Sequence, residues 1–485
     1  MTRTCSNLWQ ARRRLLVRAV VFVWLVVFGT LHVAQVAIPD RPGSVAWDAR
    51  MQLRWLEGSL ADQDARLAGL TFPEGELFTW EFYGLALQNV AETTRDPDDV
   101  ARAVRIVREL LPRIDAALAN PPYARMARDE VRGGICWFAG QNLLRGRLLA
   151  LDPHADPADV ERFHQDSATL ARAFARSASG VLAAHPGMTW PVDSLFGYWS
   201  LKIHDELYGT RHFATTWPRF RETMRRGANR TTGLMPSFVY LDGRPRDVPR
   251  GCAMSWSIAV LPELDPDFAA EQWTAYRGAF ARCAGGLCLF REYPTGVDRK
   301  IDGDSGPIVA GLGMSASAFG LAAARAAGDM ETAEALRRTG ELLGMPAISW
   351  WGKRYLGGKI ALFDVLSVWT RTVPARASER GSSAWTPVLA IAAFWSILAL
   401  EALRYMQKSL RDRRGAGGRS FVQLLCFIAA VIAIAVHIVW PPFVGALLVI
   451  VLGLIGLTSR IAAAITTMLA ATWRAASRAA ASAGR

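Results

Sequence analysis

The sequence predicts an all-α protein: one large helical domain carried on four transmembrane helices, one N-terminal and three C-terminal. Three observations carry that prediction. Between residues 40 and 380 there is no run of alternating apolar and polar residues and no βαβ rhythm, only helical patterns divided by Gly, Pro and Asp. Two kinds of helix alternate through that stretch at a regular spacing. Four long apolar runs flank it.

The first run, residues 15–38 (LLVRAVVFVWLVVFGTLHVAQVAI), has the length that a bilayer core asks of a helix. Arg12, Arg13 and Arg14 precede it, and no small-residue cleavage site follows before Pro39, so it reads as an uncleaved anchor. Three more runs cover residues 385–403, 421–440 and 443–457, the last two divided only by Pro441 and Pro442. Basic residues set the orientation, because loops rich in Lys and Arg stay in the cytoplasm. The N-terminal arginines, the loop with Lys408, Arg411, Arg413, Arg414 and Arg419, and the tail with Arg460, Arg474, Arg478 and Arg485 are all cytoplasmic if the chain crosses four times. Residues 40–380 are then extracytoplasmic, periplasmic in a Gram-negative cell. Residues 1–39 form the cytoplasmic start and anchor, 381–459 the three later spans, and 460–485 an amphipathic tail lying on the lipid.

Net charge is +13 over 485 residues, and the flanks hold all of it: fifteen bases and two acids lie outside the central stretch, which has 41 of each. Nucleic-acid binding has no electrostatic basis there.

Within residues 40–380, charged amphipathic helices are expected at 96–118, 157–177, 212–228, 266–283 and 330–344, several led by Asp-Pro, a cap followed by a first-turn proline. A helix that is apolar or aromatic nearly all round accompanies them, from Trp80, Cys136, Pro191, Gly251, Gly306 and Gly357, spaced 56, 55, 60, 55 and 51 residues apart. Such helices are buried. Six of them form an inner ring, the charged ones an outer ring, and residues 46–67 supply the sixth outer helix. This arrangement resembles the (α/α)6 toroid, the six-hairpin fold of many glycoside hydrolases and polysaccharide lyases and of the linalool dehydratase-isomerase family. The resemblance implies a central funnel whose mouth is lined where the chain enters the inner helices. An open α-solenoid is the competing architecture.

The first turns of the inner helices gather aromatic, acidic and thiol residues. The candidate catalytic groups are Asp304, Asp193, Glu292, Cys252 and Cys136; the candidate substrate-binding groups are Trp80, Tyr83, Trp137, Trp190, Tyr198, Trp199, Arg250, Trp256, Asp302 and Ser305. Aromatic faces among carboxyls suit sugars or terpenoids, since C–H faces stack on rings while acids handle hydroxyls. IDGDSGP at 301–307 puts Asp304 or Ser305 where either caps an inner helix starting at Pro307 or serves as a base. Glycoside hydrolysis needs a second carboxyl, for which Asp193 leads, then Glu292, with Glu81 and Asp205 behind. Each also has a plain structural reading as a cap or as a partner of Arg250 or Arg291.

Cys283 and Cys288 close a short loop and are placed to form a disulfide outside the cytoplasm. Cys136 and Cys252 begin inner helices, where a thiolate is favoured, and linalool dehydratase-isomerases use cysteines in the pocket; a buried inert thiol is nevertheless the preferred reading. GLGMSA at 311–316 mimics a dinucleotide fingerprint but has no βαβ unit around it and is expected inside an inner helix. His204 with Asp205 reads as a structural hydrogen bond in mid-helix. No zinc motif occurs, and no metal or cofactor is expected.

The functional expectation is a membrane-anchored enzyme acting on a glycan or a hydroxylated lipid-like substrate by carboxylate acid/base chemistry, as hydrolase, lyase or epimerase. Two alternatives stand beside it: a dehydratase-isomerase of a small terpenoid alcohol, and a noncatalytic binding or scaffold protein of envelope polysaccharide. Its partners are the bilayer, the glycan or small hydroxylated substrate, and membrane proteins or further copies of the chain.

Overall fold

The computed structural model describes residues 2–411 apart from 62–64, 66–67, 70–73, 120–130, 132–133, 153, 298–302, 345, 350–351, 360, 378–380 and 382–383. The expected spans at 421–440 and 443–457 and the amphipathic tail lie outside them.

Apolar and charged helices alternate along the chain. The apolar set is α3 (Gly75–Thr94), α5 (Ile135–Leu151), α7 (Pro191–Tyr208), α9 (Gly251–Leu264), α11 (Met314–Ala326) and α13 (Ala361–Thr372). The amphipathic set is α2 (Trp47–Ala61), α4 (Pro97–Leu118), α6 (Pro157–Arg176), α8 (His212–Arg226), α10 (Pro266–Phe280) and α12 (Met330–Leu343). Among the apolar helices α3 packs on α5, α5 on α7, α7 on α9, α9 on α11, α11 on α13, and α13 returns to α3. Each of the first five is covered by the amphipathic helix that follows it, and α2 covers α13.

Short connections turn each amphipathic helix back antiparallel to its apolar partner, and aspartates fix those turns. Asp96 accepts from the backbone N–H groups of Asp98 and Asp99, Asp156 from Ala158, Asp265 from Phe268 and Asp329 from Thr332. Each cap is worth about 1 kcal/mol. The buried faces of both sets form one continuous core, in which Phe163, Phe174, Phe220, Phe280 and Phe290 are almost wholly enclosed. Full burial of such a side chain contributes roughly 1.5–3 kcal/mol.

Three two-stranded hairpins interrupt the helices: β1 (Ala281–Ala284) with β2 (Leu287–Phe290), β3 (Ile308–Val309) with β4 (Leu312–Gly313), and β5 (Ala347–Ser349) with β6 (Gly352–Arg354). They shift several expected boundaries. The helix expected over 266–283 stops at Phe280 because 281–284 pair with 287–290 across Gly285 and Gly286, both at positive φ. The inner helix expected from Gly306 starts at Met314, after a hairpin turned by Ala310 and Gly311, also at positive φ. The one expected from Gly357 starts at Ala361 after a 3-10 turn, and the one expected from Trp80 starts at Gly75.

Among the described residues, two helices are long and apolar enough to cross a membrane, Val17–Ala37 within α1 (Thr2–Ala37) and Trp385–Tyr405 within α14 (Trp385–Arg411). They pack on each other antiparallel. The Trp395 indole N–H donates to His32 Nδ1 at 3.1 Å, and the Arg18 guanidinium donates to the Tyr405 hydroxyl at 3.2 Å. Gly29 makes room for this contact, since a Cβ there would sit 2.8 Å from Trp395 Cβ.

The last turns of α1 run antiparallel along α12. His32 Nε2 lies 2.8 Å from the Glu341 carbonyl, the Arg337 guanidinium donates to the carbonyls of Gln35 and Val36, and the Asp40 N–H donates to Glu334 at 2.9 Å. A buried ion network joins there. Arg371 binds Asp40 and Asp48, Lys353 binds Asp48 and Glu341, Arg325 binds Asp40, and Arg337 binds Glu334. Burial alone pushes Asp48 up, but Arg371 and Lys353 beside it outweigh that and hold its carboxyl well below the usual range.

Candidate active site

One ring contributed by each apolar helix meets its neighbours in the middle of the assembly. Phe82 of α3 lies 4.8 Å from Trp369 of α13, 5.3 Å from Trp256 of α9 and 6.2 Å from Phe196 of α7, centroid to centroid. Trp256 stacks on Phe319 of α11 at 5.5 Å, and Phe78 of α3 touches both Trp137 of α5 at 4.7 Å and Trp256 at 5.7 Å. All but Trp369 sit in the first two or three turns of their helices, so the leading ends of the apolar helices share one side of the molecule. Phe78, Trp256 and Phe319 keep partial exposure, so this aromatic floor faces a space above it.

Two thiol–carboxyl pairs stand at that level. Cys136 is the second residue of α5 and Asp193 the third of α7, about one turn ahead of Phe196 on its helix; the Cys136 thiol lies beside the Asp193 carboxyl. Both are nearly buried. Burial, then the negative charge of Asp304, pushes Asp193 up to about 8, against the opposing pull of the Cys136 thiol. Glu81 joins from α3, wholly buried, and burial with the Asp193 charge raises it well above the ordinary range. Its carboxyl lies against Gly140 of α5, where a Cβ would come 2.0 Å from Glu81 Oε1.

The second pair is Cys252 with Glu292. Cys252 is the second residue of α9, one turn ahead of Trp256, and its thiol lies beside the Glu292 carboxyl. Glu292 follows β2, is fully buried and takes the Arg250 guanidinium at 3.3 Å. Its carbonyl accepts the Gly251 N–H at 2.7 Å and its own N–H donates to the Gly311 carbonyl at 3.1 Å, which pins the carboxylate to the start of α9. Asp304 is exposed, and its charge reaches both Asp193 and Cys252.

Several sequence expectations change here. A helix start alone favours a thiolate, yet both thiols are raised well above their ordinary value, by burial first and by the neighbouring Asp193 or Glu292 second, in keeping with the buried-thiol reading. They are neutral S–H groups. Neither Asp304 nor Ser305 caps an inner helix: α11 starts at Met314 with Gly313 at its cap, and the Ser305 hydroxyl donates to the Gly306 carbonyl at 2.9 Å. GLGMSA spans β4 and the first turn of α11 and does not lie inside a helix.

Of the expected aromatic residues, Trp137 and Trp256 belong to the floor. Trp190 lies at the rim, stacked on Phe238 at 5.0 Å beside His185, which pairs with Glu74 at 3.4 Å. Arg250 is the partner of Glu292 and lies 5.7 Å from the Tyr293 ring. Trp80, Tyr83, Tyr198 and Trp199 point elsewhere. The Arg113 guanidinium covers Trp80, Tyr83 is within electrostatic reach of Arg102 and Glu57, Tyr198 stacks on Phe174 at 4.1 Å and donates to the Gly180 carbonyl, and Trp199 carries Arg147. At 100° per residue, a helix that turns Phe78, Glu81 and Phe82 inward turns Trp80 and Tyr83 outward. Asp302 lies outside the described residues. Asp205 caps α8 through the N–H groups of His212 and Phe213, and His204 hydrogen-bonds His164 and Thr210, at the opposite end of α7 from Asp193.

No protein-family model matches the chain, and no curated protein matches it in sequence. The chemistry therefore has to be read from the site alone. No group of three metal-ligating side chains that could hold an ion occurs among the described residues. Two cavities open elsewhere: one of about 530 Å³ on the outside of α4, and one of about 280 Å³ between the end of α1 and α2.

The floor residues Phe78, Phe82, Phe196, Phe319 and Trp369 were not singled out by sequence. A signal for two of them exists, because Phe196 and Phe319, like Trp256, are each the sixth residue of their helix. It becomes visible only once the start of α11 is correctly placed.

Proposed function

We propose that the helical domain is an (α/α)6 toroid held outside the cytoplasm by a four-span anchor, and that it is an enzyme acting on a hydroxyl-bearing, largely apolar substrate by acid/base removal, addition or migration of water. What supports the toroid reading is the cyclic packing of six apolar helices inside six amphipathic ones. What supports the extracytoplasmic reading is the Cys283–Cys288 disulfide, which persists in an oxidising compartment, together with the placement of the flanking arginines.

The observation that carries the chemistry is the pairing of two carboxyls with two neutral thiols above one aromatic floor. In the dehydration direction Asp193, still protonated near neutral pH, gives its proton to the substrate hydroxyl, and the C–O bond breaks with release of water. Glu292, paired with the Arg250 guanidinium, takes the proton from the adjacent carbon as the C=C bond forms. Cys136 and Cys252 lie beside these carboxyls and can relay the protons back. The floor holds the apolar body of the substrate, and aromatic faces stabilise positive charge that develops as the hydroxyl leaves. This reading favours the dehydratase-isomerase alternative over glycoside cleavage, because the acids are enclosed and each carries a thiol.

The test is turnover by the purified full-length protein on a panel of allylic terpenoid alcohols, followed by gas chromatography and by incorporation of oxygen-18 from water in the reverse direction. Asp193→Asn and Glu292→Gln should each abolish the reaction; wild-type turnover by both variants overturns the assignment. A second reading, hydrolysis of a glycan with Asp304 activating water and Asp193 or Glu292 protonating the leaving oxygen, is favoured only by the exposure of Asp304 at the mouth. Loss of turnover in Asp304→Asn on a saccharide would support it.

A further inference from the structure

The two membrane helices leave the domain on the side of the site. Helix α12 returns from the far end of α11, so its last residues, Glu341 to Leu343, lie level with the start of α11 and hence with the thiol–carboxyl pairs. Helix α1 meets α12 in reverse order: Asp40 at Glu334, Gln35 and Val36 at Arg337, His32 at Glu341. Every residue of α1 before His32 therefore extends past the mouth. Helix α14 runs the other way and agrees. Gly381 packs on Met330 and Glu334, Ala384 on Gly286, Trp395 on His32, and Tyr405 on Arg18. About 20 apolar residues counted back from the Glu341 level reach the Arg12–Arg14 cluster, so a bilayer core fills the space directly beyond that end of the domain.

The surface of that end suits such a neighbour. Met188, Tyr240, Leu241, Val309, Met314 and Leu343 are all exposed there, on the loops entering α7 and α9, on the β3–β4 hairpin and α11, and at the end of α12. Charge does not mark that end, since Arg225 pairs with Glu271, Arg226 with Glu222, and Arg277 with Asp329, the cap at the start of α12. The apolar loop tips do: exposed apolar side chains gathered at one end fit a lipid surface.

We propose that the mouth of the site is pressed against the outer surface of the bilayer and that the substrate enters from the lipid, as a membrane-dissolved isoprenoid or acyl alcohol. The orientation stands on the helix geometry alone, whereas the identification of the substrate as an alcohol rests on the function proposed above. Apolar loop tips at the rim place the aromatic floor within reach of a chain that never leaves the membrane.

The experiment uses the full-length protein with Cys5→Ser and Cys426→Ser, in nanodiscs of phosphatidylcholine and phosphatidylglycerol. Nitroxide labels are attached at Leu241→Cys, at Val309→Cys, and at Leu207→Cys, which is exposed at the opposite end of α7. Relaxation by oxygen, which concentrates in lipid, is compared with relaxation by a water-soluble nickel chelate. A severalfold higher oxygen-to-nickel ratio at 241 and 309 than at 207 is the expected result; equal ratios, or a higher one at 207, overturn the proposal. The measurement is independent of turnover. A lipid signature with active Asp193→Asn and Glu292→Gln variants would retire the chemistry and leave the orientation, and the converse would do the reverse.

Discussion

The Cys136 thiol lies beside the carboxyl of Asp193, which is itself held near 8, so two neighbouring acids both keep their protons at neutral pH. A carboxyl raised in the folded state binds a proton that the unfolded chain has already lost. Its contribution to stability is present below the ordinary carboxylate range and disappears as pH rises through about 8. Wild-type protein should therefore melt at lower temperature as pH climbs from about 4 towards 8, and Asp193→Asn should lose part of that slope. Turnover of the wild type should fall above the same pH. In the variant it should drop by roughly 10²–10⁴-fold at every pH, the range for a lost general acid. Calorimetry and a pH–rate profile check both.

Gly140 leaves room for Glu81. In Gly140→Ala the new Cβ would meet Glu81 Oε1 at 2.0 Å, and the carboxyl, which has no hydrogen-bond partner for that oxygen among the described residues, must swing away. The expected cost is about 1–3 kcal/mol, as for other overpacked sites. Chemical denaturation measures it, and Gly140→Ala/Glu81→Gln should not recover the loss because the clash is steric.

Lys353 is wholly buried between Asp48 and Glu341. Lys353→Met removes one cation and leaves those carboxylates short of charge, which should destabilise the domain by about 3–5 kcal/mol. Thermal unfolding of the detergent-solubilised chain reads this out; a change below about 1 kcal/mol, the worth of an exposed pair, would contradict the burial of the network.

The Cys283–Cys288 bond ties β1 to β2, four residues ahead of Glu292. Replacing both cysteines by serine should cost about 2 kcal/mol, the chain-entropy value for so short a loop. In spheroplasts a membrane-impermeant maleimide should label this pair only after reduction. Labelling without reductant, or only after the membrane is breached, contradicts an oxidised hairpin outside the cytoplasm.

Helix periodicity made the alternation of apolar and amphipathic helices readable, and Asp-Pro marked the starts of α4, α6 and α10 closely, because a cap and a first-turn proline act within a few residues. The hairpins were hidden for the opposite reason. Gly285–Gly286 and Ala310–Gly311 turn strands of two to four residues, too short to show an alternating pattern, so the flanking helices seemed longer. At the site, Asp193, Cys136 and Cys252 could be named from their places near helix starts and Glu292 from its place behind a Cys/Gly-rich loop, but not their pairing, which depends on which apolar helices are neighbours. The failure at Trp80, Tyr83, Tyr198 and Trp199 is one of facing: aromatic residues were grouped by nearness along the chain, and a helix spreads such a group around its whole circumference. The depressed Asp48 and raised Asp193 belong to the same residue type in the same domain, and only three-dimensional company separates them.

The return of α13 to α3 has a consequence for biosynthesis. Asp40, just after the first membrane helix, meets Arg371, which is made 331 residues later, and Asp48 meets Lys353 across a similar gap. Until that final stretch has been made, the nascent domain is a horseshoe with an oily inner edge, open at one tip. Such distant pairings close slowly, so the unfinished protein is exposed to aggregation for as long as synthesis lasts. A truncation that stops before α13 should be found with chaperones or degraded, and not as a smaller working version of the whole.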